Sequence, residues 1–286
     1  MESIYKETMF ILKKYNISAN KSLGQNFLVN DEVINTIVES ANIEKEDLII
    51  EIGPGLGTLT GRLLEKAKKV IAIELDKRML TILKDRFALY NNFEIINDDI
   101  LKVNLKEIIT KEKEHVKNVK IVANLPYYIT TPIIMKLLED RLDIQSITVM
   151  VQKEVAKRLT AIPGTQLSGA ITYAVNYYCE PEEVIEVPNS SFIPEPEVES
   201  EVIKLNLRKE PPIKLENEEL FFKIIKASFM QRRKTLINGI SNSGLMEKEE
   251  IKQLLKKVGL DEKVRGENLS LQDFANLAEE INNNKY

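Results

Sequence analysis

Short apolar runs and amphipathic helical stretches alternate through the first half of the chain, and that alternation leaves it few folds to choose from. Residues 47–52, 70–74, 93–96, 119–123 and 146–151 are rich in Ile and Val and read as strands. Between and around them, residues 31–42, 58–68, 77–90, 132–139 and 153–160 carry helical periodicity; in the first of these, Val33, Ile34, Ile37 and Val38 share one side. Strand and helix recur at roughly 20–25 residue spacing, the signature of βαβ units. A parallel sheet covered on both faces follows.

The pattern changes after residue 165. Residues 169–178 read as a helix, and 183–187 and 198–207 as two late strands that pair at the sheet edge. Lys209-Glu210-Pro211-Pro212 reads as a linker. Beyond it only helical patterns occur: 220–228, 233–240, 248–258, and a last helix from Ser270, where Asp273 completes a capping box. The expected division is therefore a larger domain over 1–208 and a small all-helical one over 209–286.

Composition narrows the function. Hydrophobic residues make up 43% and charged residues 29%, ordinary for a soluble globular protein. No apolar run approaches the ~18 residues of a membrane span, and the N-terminus lacks a signal-peptide pattern, which predicts a cytosolic protein. Cys179 is the single cysteine and His115 the single histidine. They argue against a disulfide, a cysteine zinc site and a histidine-centred triad, so no metal is expected. His115 sits in Lys111-Glu112-Lys113-Glu114-His115, a solvated face. The net charge of −4 hides two basic stretches. Residues 8–30 hold Lys13, Lys14 and Lys21 with no acid; residues 220–246 hold Lys223, Lys226, Arg232, Arg233 and Lys234 with none either.

Glu51-Ile52-Gly53-Pro54-Gly55-Leu56-Gly57 joins the first strand of the alternation to the next helix. Glycines let the backbone turn sharply and let a ligand approach it, and the helix start adds free N–H groups and a positive dipole end. The spacing differs from the dinucleotide fingerprint. It suits S-adenosylmethionine, whose amino acid end replaces the phosphates; a purely structural tight turn is the alternative. Glu74 closes the next strand, 21 residues after Gly53. A carboxylate there can accept both hydroxyls of a ribose, whereas Asp76 fits the following helix cap better. Asp98-Asp99 ends the third strand, and Asp99 can accept from an adenine amino group. Three successive strand ends thus offer a Rossmann-like nucleoside site, with Gly53, Gly55, Glu74 and Asp99 holding the cofactor.

Asn124-Leu125-Pro126-Tyr127 follows the fourth strand. An adenine amino nitrogen is a poor nucleophile because its lone pair is delocalised into the ring. Two acceptors, the Asn124 side-chain oxygen and the Leu125 carbonyl, can bind its two hydrogens and favour a pyramidal nitrogen. Pro126 stiffens the turn, and Tyr127 can stack on the base, a contact worth roughly 1–3 kcal/mol. The base must be unpaired or flipped to enter.

These motifs resemble the rRNA adenine N6,N6-dimethyltransferases, and within them the small-subunit branch. The similarity covers nearly the whole chain. Lys21-Ser22-Leu23-Gly24-Gln25-Asn26-Phe27-Leu28 is similar to the family's N-terminal motif, which implies that Asn26 and Leu28 also contact S-adenosylmethionine, with Asn124 completing that site. Leu125 and the trailing Thr131-Pro132 fit the small-subunit branch. The stretch 191–200, beginning Ser191-Phe192-Ile193-Pro194, resembles the late motif and implies that Phe192 packs on the target adenine opposite Tyr127. It departs from the family at Ile193, where tyrosine is usual, and at Glu195, Glu197, Glu199 and Glu201, which stand where a basic residue is usual. Residues 229–236 resemble the signature of the small helical domain; Arg232, Arg233 and Lys234 become RNA-backbone candidates, with a solvated helix end as the alternative. The resemblance implies an S-adenosylmethionine-dependent, monomeric enzyme that dimethylates two adjacent adenosines near the 3′ end of 16S rRNA in the 30S subunit. Two rivals remain open at this point: a 23S rRNA adenine methylase of the macrolide-resistance type, and a non-catalytic assembly or RNA-binding factor on the same fold.

Overall fold

The computed structural model describes residues 3–20, 23–231 and 233–284. In chain order it contains α1 (Ile4–Lys14), β1 (Phe27–Leu28), α2 (Asp31–Ser40), β2 (Leu48–Ile52), α3 (Thr58–Lys66), β3 (Lys69–Ile73) and α4 (Lys77–Arg86). Then come β4 (Phe93–Ile96), α5 (Leu105–Glu112), β5 (Val119–Asn124), α6 (Thr130–Glu139), β6 (Ser146–Gln152), α7 (Lys153–Thr160) and α8 (Ala170–Tyr178). The remainder is β7 (Cys179–Val187), β8 (Phe192–Ile193), β9 (Ser200–Leu207), α9 (Glu218–Phe229), α10 (Leu236–Asn242), α11 (Lys248–Lys257) and α12 (Leu271–Asn284). No helix among the described residues is long and apolar enough to cross a membrane.

Two compact units divide the chain. The first runs to Ala156 and includes Pro181–Leu207; the second comprises Lys157–Glu180 and the chain from Arg208 onward.

The first unit is built on a sheet of order β4-β3-β2-β5-β6-β9-β7. The strands from β4 to β6 are parallel, and β9 runs antiparallel to β6. Strands β2, β5 and β6 are buried along nearly their whole length, which is why they read as continuous apolar runs rather than alternating ones. From β2 the chain steps outward to β3 and β4, then returns to the other side of β2 for β5 and β6. The strand order therefore reverses between β2 and β5, and a crevice opens at their carboxyl ends, where ligands bind in such sheets. Ile52 pairs with Ala123, so Gly53 and Asn124 come off the sheet level with each other.

One face of this sheet carries Ile49, Val70, Val122, Met150 and Val202, packed in a single cluster with Val33, Ile34 and Ile37 of α2 and Leu59 and Leu63 of α3. Side chains alternate along a strand, and Glu51 stands opposite Val122. Glu51 and Asn124 therefore project to this same covered face. At the amino ends of the strands, Lys120 Nζ donates to Asp47 Oδ2 at 2.6 Å, both side chains being buried, and Asn118 Nδ2 and the Glu44 N–H complete the carboxylate's bonds at 2.9 Å each. Burial pushes the Asp47 carboxyl up, but Lys120 and these donors together hold it below the usual range.

Two helices went unread in the sequence. Helix α1 packs Ile4 and Ile11 into the core. Helix α5 starts from Asn104, whose side chain accepts the Glu107 N–H at 3.2 Å. Helix α2 stops at Ser40, and Asn42 turns the chain with φ 49°.

The second unit gathers α9 to α12 and also α8. Tyr173 of α8 is fully buried; its hydroxyl reaches the Leu269 carbonyl at 2.6 Å and its ring meets Phe274 edge-on at 4.9 Å. Tyr177 lies against Phe221 at 5.6 Å. These aromatic contacts move residues 157–180 out of the larger domain to which sequence order assigned them. Asn217 caps α9 by accepting the Leu220 N–H at 3.0 Å. The capping box forms as read: Ser270 N donates to Asp273 Oδ2 at 2.8 Å, and Asp273 N to Ser270 Oγ at 3.1 Å.

Candidate active site

A single cavity lies over the carboxyl ends of β2, β3 and β5. Its wall includes Gly53, Gly55, Glu74, Asp99, Asn124, Leu125 and Tyr127, and the segment that enters α2 adds Asn26 and Leu28. Nine of the residues singled out in the sequence thus share one space.

The glycine turn works through two different needs. Gly57 has φ 81°, and a side-chain carbon there would stand 2.6 Å from Phe87 Cε2, so packing alone forbids one. Gly53 has φ 67°, yet such a carbon would meet nothing within 4 Å. The room beside Gly53 belongs to the cavity.

Glu74 closes the turn. Its Oε2 accepts the Gly55 N–H at 3.1 Å and its Oε1 the Asp76 N–H at 2.7 Å. Burial raises its pKa against the pull of those two bonds. Each oxygen retains a second lone pair for a hydroxyl donor. The next acid, Asp76, caps α4 and is held well below the usual carboxylate range by Arg78. Asp99 Oδ1 accepts the Leu101 N–H at 3.0 Å, an Asx turn that fixes the carboxylate at the strand end.

Asn124 is oriented from outside the strand. Its Nδ2 donates to the Asn26 carbonyl at 3.3 Å. Only the amide nitrogen can face a carbonyl, so Oδ1 is turned the other way. Leu125 has its side chain buried, 1% exposed, and no donor among the described residues reaches its carbonyl. The Pro126 carbonyl, by contrast, is taken by Thr130 Oγ1 at 3.0 Å. Tyr127 shares a 2.5 Å hydrogen bond with Ser200, and burial raises its pKa, so its hydroxyl stays protonated.

Phe192 is placed elsewhere. It pairs with Leu28 in the short β1–β8 ladder, is 2% exposed in the hydrophobic cluster, and does not line the cavity. Phe27, which pairs with Ile193 in that ladder, does. The acidic stretch is also less uniform than it reads: Glu201 is buried within β9, while Lys153 binds Glu199 at 2.9 Å and Glu186 at 2.8 Å. In the second unit Arg233 and Lys234 are exposed ahead of α10, and Arg232 lies outside the described residues. Among the described residues no cluster of acids, His and Cys is arranged to hold a metal ion.

The structure adds Glu51. It lines the cavity at 2% exposure, and its Oε2 is buried without a hydrogen-bond partner. Burial, against the pull of the nearby Thr60 hydroxyl and with the charge of Glu74 adding to it, pushes its carboxyl up to about 8. An acid inside an otherwise apolar strand was the available signal, since Leu48-Ile49-Ile50-Glu51-Ile52 gives it no structural reason to be there.

The chain resembles known proteins along nearly its whole length. The family described as ribosomal RNA adenine dimethylase matches residues 16–283. Ribosomal RNA small subunit methyltransferase A of Clostridioides difficile (strain 630) is 49% identical over 280 residues, 98% of this chain and 96% of that protein. Its namesake in Geobacillus thermodenitrificans (strain NG80-2) is 49% identical over 274 residues, 95% and 94% of the two. Among solved structures, a dimethyladenosine transferase from Plasmodium falciparum superposes with a TM-score of 0.75 at 30% identity, covering 90% of this chain and 98% of that one. The 23S rRNA methyltransferase ErmE superposes with a TM-score of 0.67 at 24% identity, covering 90% and 100%, a likeness of fold.

Proposed function

The chain belongs to the ribosomal RNA adenine dimethylase family, and on that premise we propose that it dimethylates N6 of two adjacent adenosines near the 3′ end of 16S rRNA, acting in the cytoplasm on the 30S subunit with S-adenosylmethionine as donor. The observation that carries the chemistry is the fixed amide of Asn124 beside the unclaimed carbonyl of Leu125.

The cavity's residues fit that donor. The open room at Gly53 suits its amino acid end, and Glu51, a buried acid whose Oε2 has no hydrogen-bond partner, would be drawn into its charged form by a cation such as an ammonium group. Glu74 would take the ribose hydroxyls and Asp99 the adenine amino group, with Asn26, Leu28 and Gly55 closing round them. When bound, S-adenosylmethionine supplies an electrophilic methyl carbon on a sulfonium.

The chain's own residues would do the rest. Before the first transfer Asn124 Oδ1 and the Leu125 carbonyl accept the two N6 hydrogens of the target adenine; before the second, one of these oxygens accepts the single hydrogen that remains. Holding the N–H groups out of the ring plane localises the nitrogen lone pair and aims it along the line of transfer. Tyr127, braced by Ser200, offers its ring as a wall for the base. The nitrogen sheds a proton to water after each transfer, so no strong general base is required. In this reading Phe192 supports the cavity lining at Leu28 from the core, through their pairing, rather than touching the base. The helical unit presents Arg233 and Lys234 to RNA phosphates.

The test is partition of label. The protein is incubated with labelled S-adenosylmethionine and undermethylated 30S or 50S subunits. Label entering 30S is expected; label entering 50S alone overturns the reading.

A further inference from the structure

We propose that Tyr128 is a second base platform, stacking on the nucleobase that flanks the adenine held in the cavity. This rests on the function proposed above and goes one nucleotide beyond it.

Tyr127 and Tyr128 are consecutive in one short helical turn, and the turn sends them different ways. Tyr127 is half-buried and tied to Ser200. Tyr128 also lines the cavity, yet its side chain is 54% exposed and no hydrogen bond holds its hydroxyl among the described residues. A lone exposed aromatic elsewhere on a surface needs no explanation; one at the mouth of a base-gripping cavity does.

The ring is held ready. A side-chain carbon added to Gly24 would stand 3.2 Å from Tyr128 Cδ1 and 3.6 Å from Cε1, so the ring lies directly on the Gly24 backbone. Gly24 has φ 60°, which favours glycine there as well. The N-terminal segment thus supports the ring from one side and leaves the rest open. A tyrosine has two side-chain torsions to fix, so ordering it costs little.

The substrate explains what it would meet. When one of two adjacent adenines fills the cavity, the other is one nucleotide away, at the mouth. Stacking on an aromatic face tolerates any base, methylated or not. That suits an enzyme which must present first one neighbour and then the other.

The experiment compares wild type, Tyr128→Ala and Tyr128→Phe on undermethylated 30S subunits, with S-adenosylmethionine binding measured separately by calorimetry. Tyr128→Ala should raise KM for the subunit about tenfold or more, with a smaller change in kcat, and leave cofactor affinity within twofold. Mass spectrometry should show more RNA methylated at one adenine only. Tyr128→Phe should restore the wild-type KM, since the ring and not the hydroxyl is used. An unchanged KM in Tyr128→Ala overturns the platform while wild-type transfer to 30S leaves the proposed substrate standing. Failure of Tyr128→Phe to restore KM also overturns it. Absence of wild-type transfer to 30S overturns both readings.

Discussion

Replacing Glu51 with glutamine should make the ligand-free protein more stable and a weaker binder of its cofactor. Folding carries this carboxyl from the ordinary 4.5 to about 8, because burial strips it of water. The sign follows from which state holds the proton. Below about pH 4.5 Glu51 is protonated both folded and unfolded, and the shift costs nothing. Above that pH the unfolded chain ionises while the folded chain must keep a proton, so stability falls by about 1.4 kcal/mol per pH unit until about pH 8. At pH 7 the loss is about 3 kcal/mol. Glutamine, neutral and of the same shape, avoids it. For a unit of this size each kcal/mol moves Tm by roughly 2–4 °C, so Glu51→Gln should melt several degrees higher at pH 7 and nearly level with wild type at pH 5. Calorimetry without cofactor reads this on the transition that S-adenosylmethionine raises. Any cost of burying the amide is independent of pH, so the diagnostic is growth of the gap between pH 5 and pH 8. Cofactor affinity should fall about tenfold or more, the worth of a hydrogen bond to a charged group. A gap that stays constant with pH, or closes as pH rises, would refute the argument.

Other outcomes follow from the same geometry. Asn124→Ala should abolish methyl transfer while cofactor binding, measured by calorimetry, survives within about tenfold; normal turnover would remove Asn124 from the mechanism. Lys120→Ala leaves the Asp47 carboxylate buried and unpaired, which should cost about 3–5 kcal/mol in urea unfolding at pH 7. Because Asp47 is held below its ordinary pKa, the pair's stabilisation is present above about pH 4 and lost as pH falls through the folded value, so the gap from wild type should shrink in acid. Phe192→Ala should cost about 3–5 kcal/mol of stability, as a cavity in the core does; a large rise in substrate KM with unchanged stability would instead put that ring on the base. Arg233→Ala with Lys234→Ala should lower the slope of log affinity for 30S against log salt by about 2, one per phosphate contact, in filter binding.

Much of the sheet and of the cavity wall is legible in the sequence because local signals and burial agree there. Strands β2, β5 and β6 are mostly apolar since both faces are covered, and the residues at their carboxyl ends face the crevice. Glu74 is read from its place at a strand end for this reason, and Asn124 from its place together with the chemistry of its amide. What escapes is set by partners distant in the chain. Phe192 is drawn into the core by a two-residue ladder with Leu28, a pairing too short to leave a periodic signature. Helix α8 leads directly into strand β7 of the sheet, yet Tyr173 and Tyr177 find their aromatic neighbours at Phe274 and Phe221. Glu51 is visible as an acid in an apolar strand, but its meaning depends on the missing partner of Oε2. Asn26 was implied as a cofactor contact; that its carbonyl also sets the Asn124 amide is knowledge only the folded chain holds.

The central claim is that this cavity dimethylates paired adenines of small-subunit RNA. The direct measurement is nuclease digestion and mass spectrometry of 16S and 23S rRNA after reaction of undermethylated ribosomal subunits with the purified protein. The account predicts N6,N6-dimethyladenosine at two adjacent positions near the 3′ end of 16S rRNA and at none in 23S rRNA. Methylation stopping at one methyl per adenine at saturation, or confined to 23S rRNA, would contradict it.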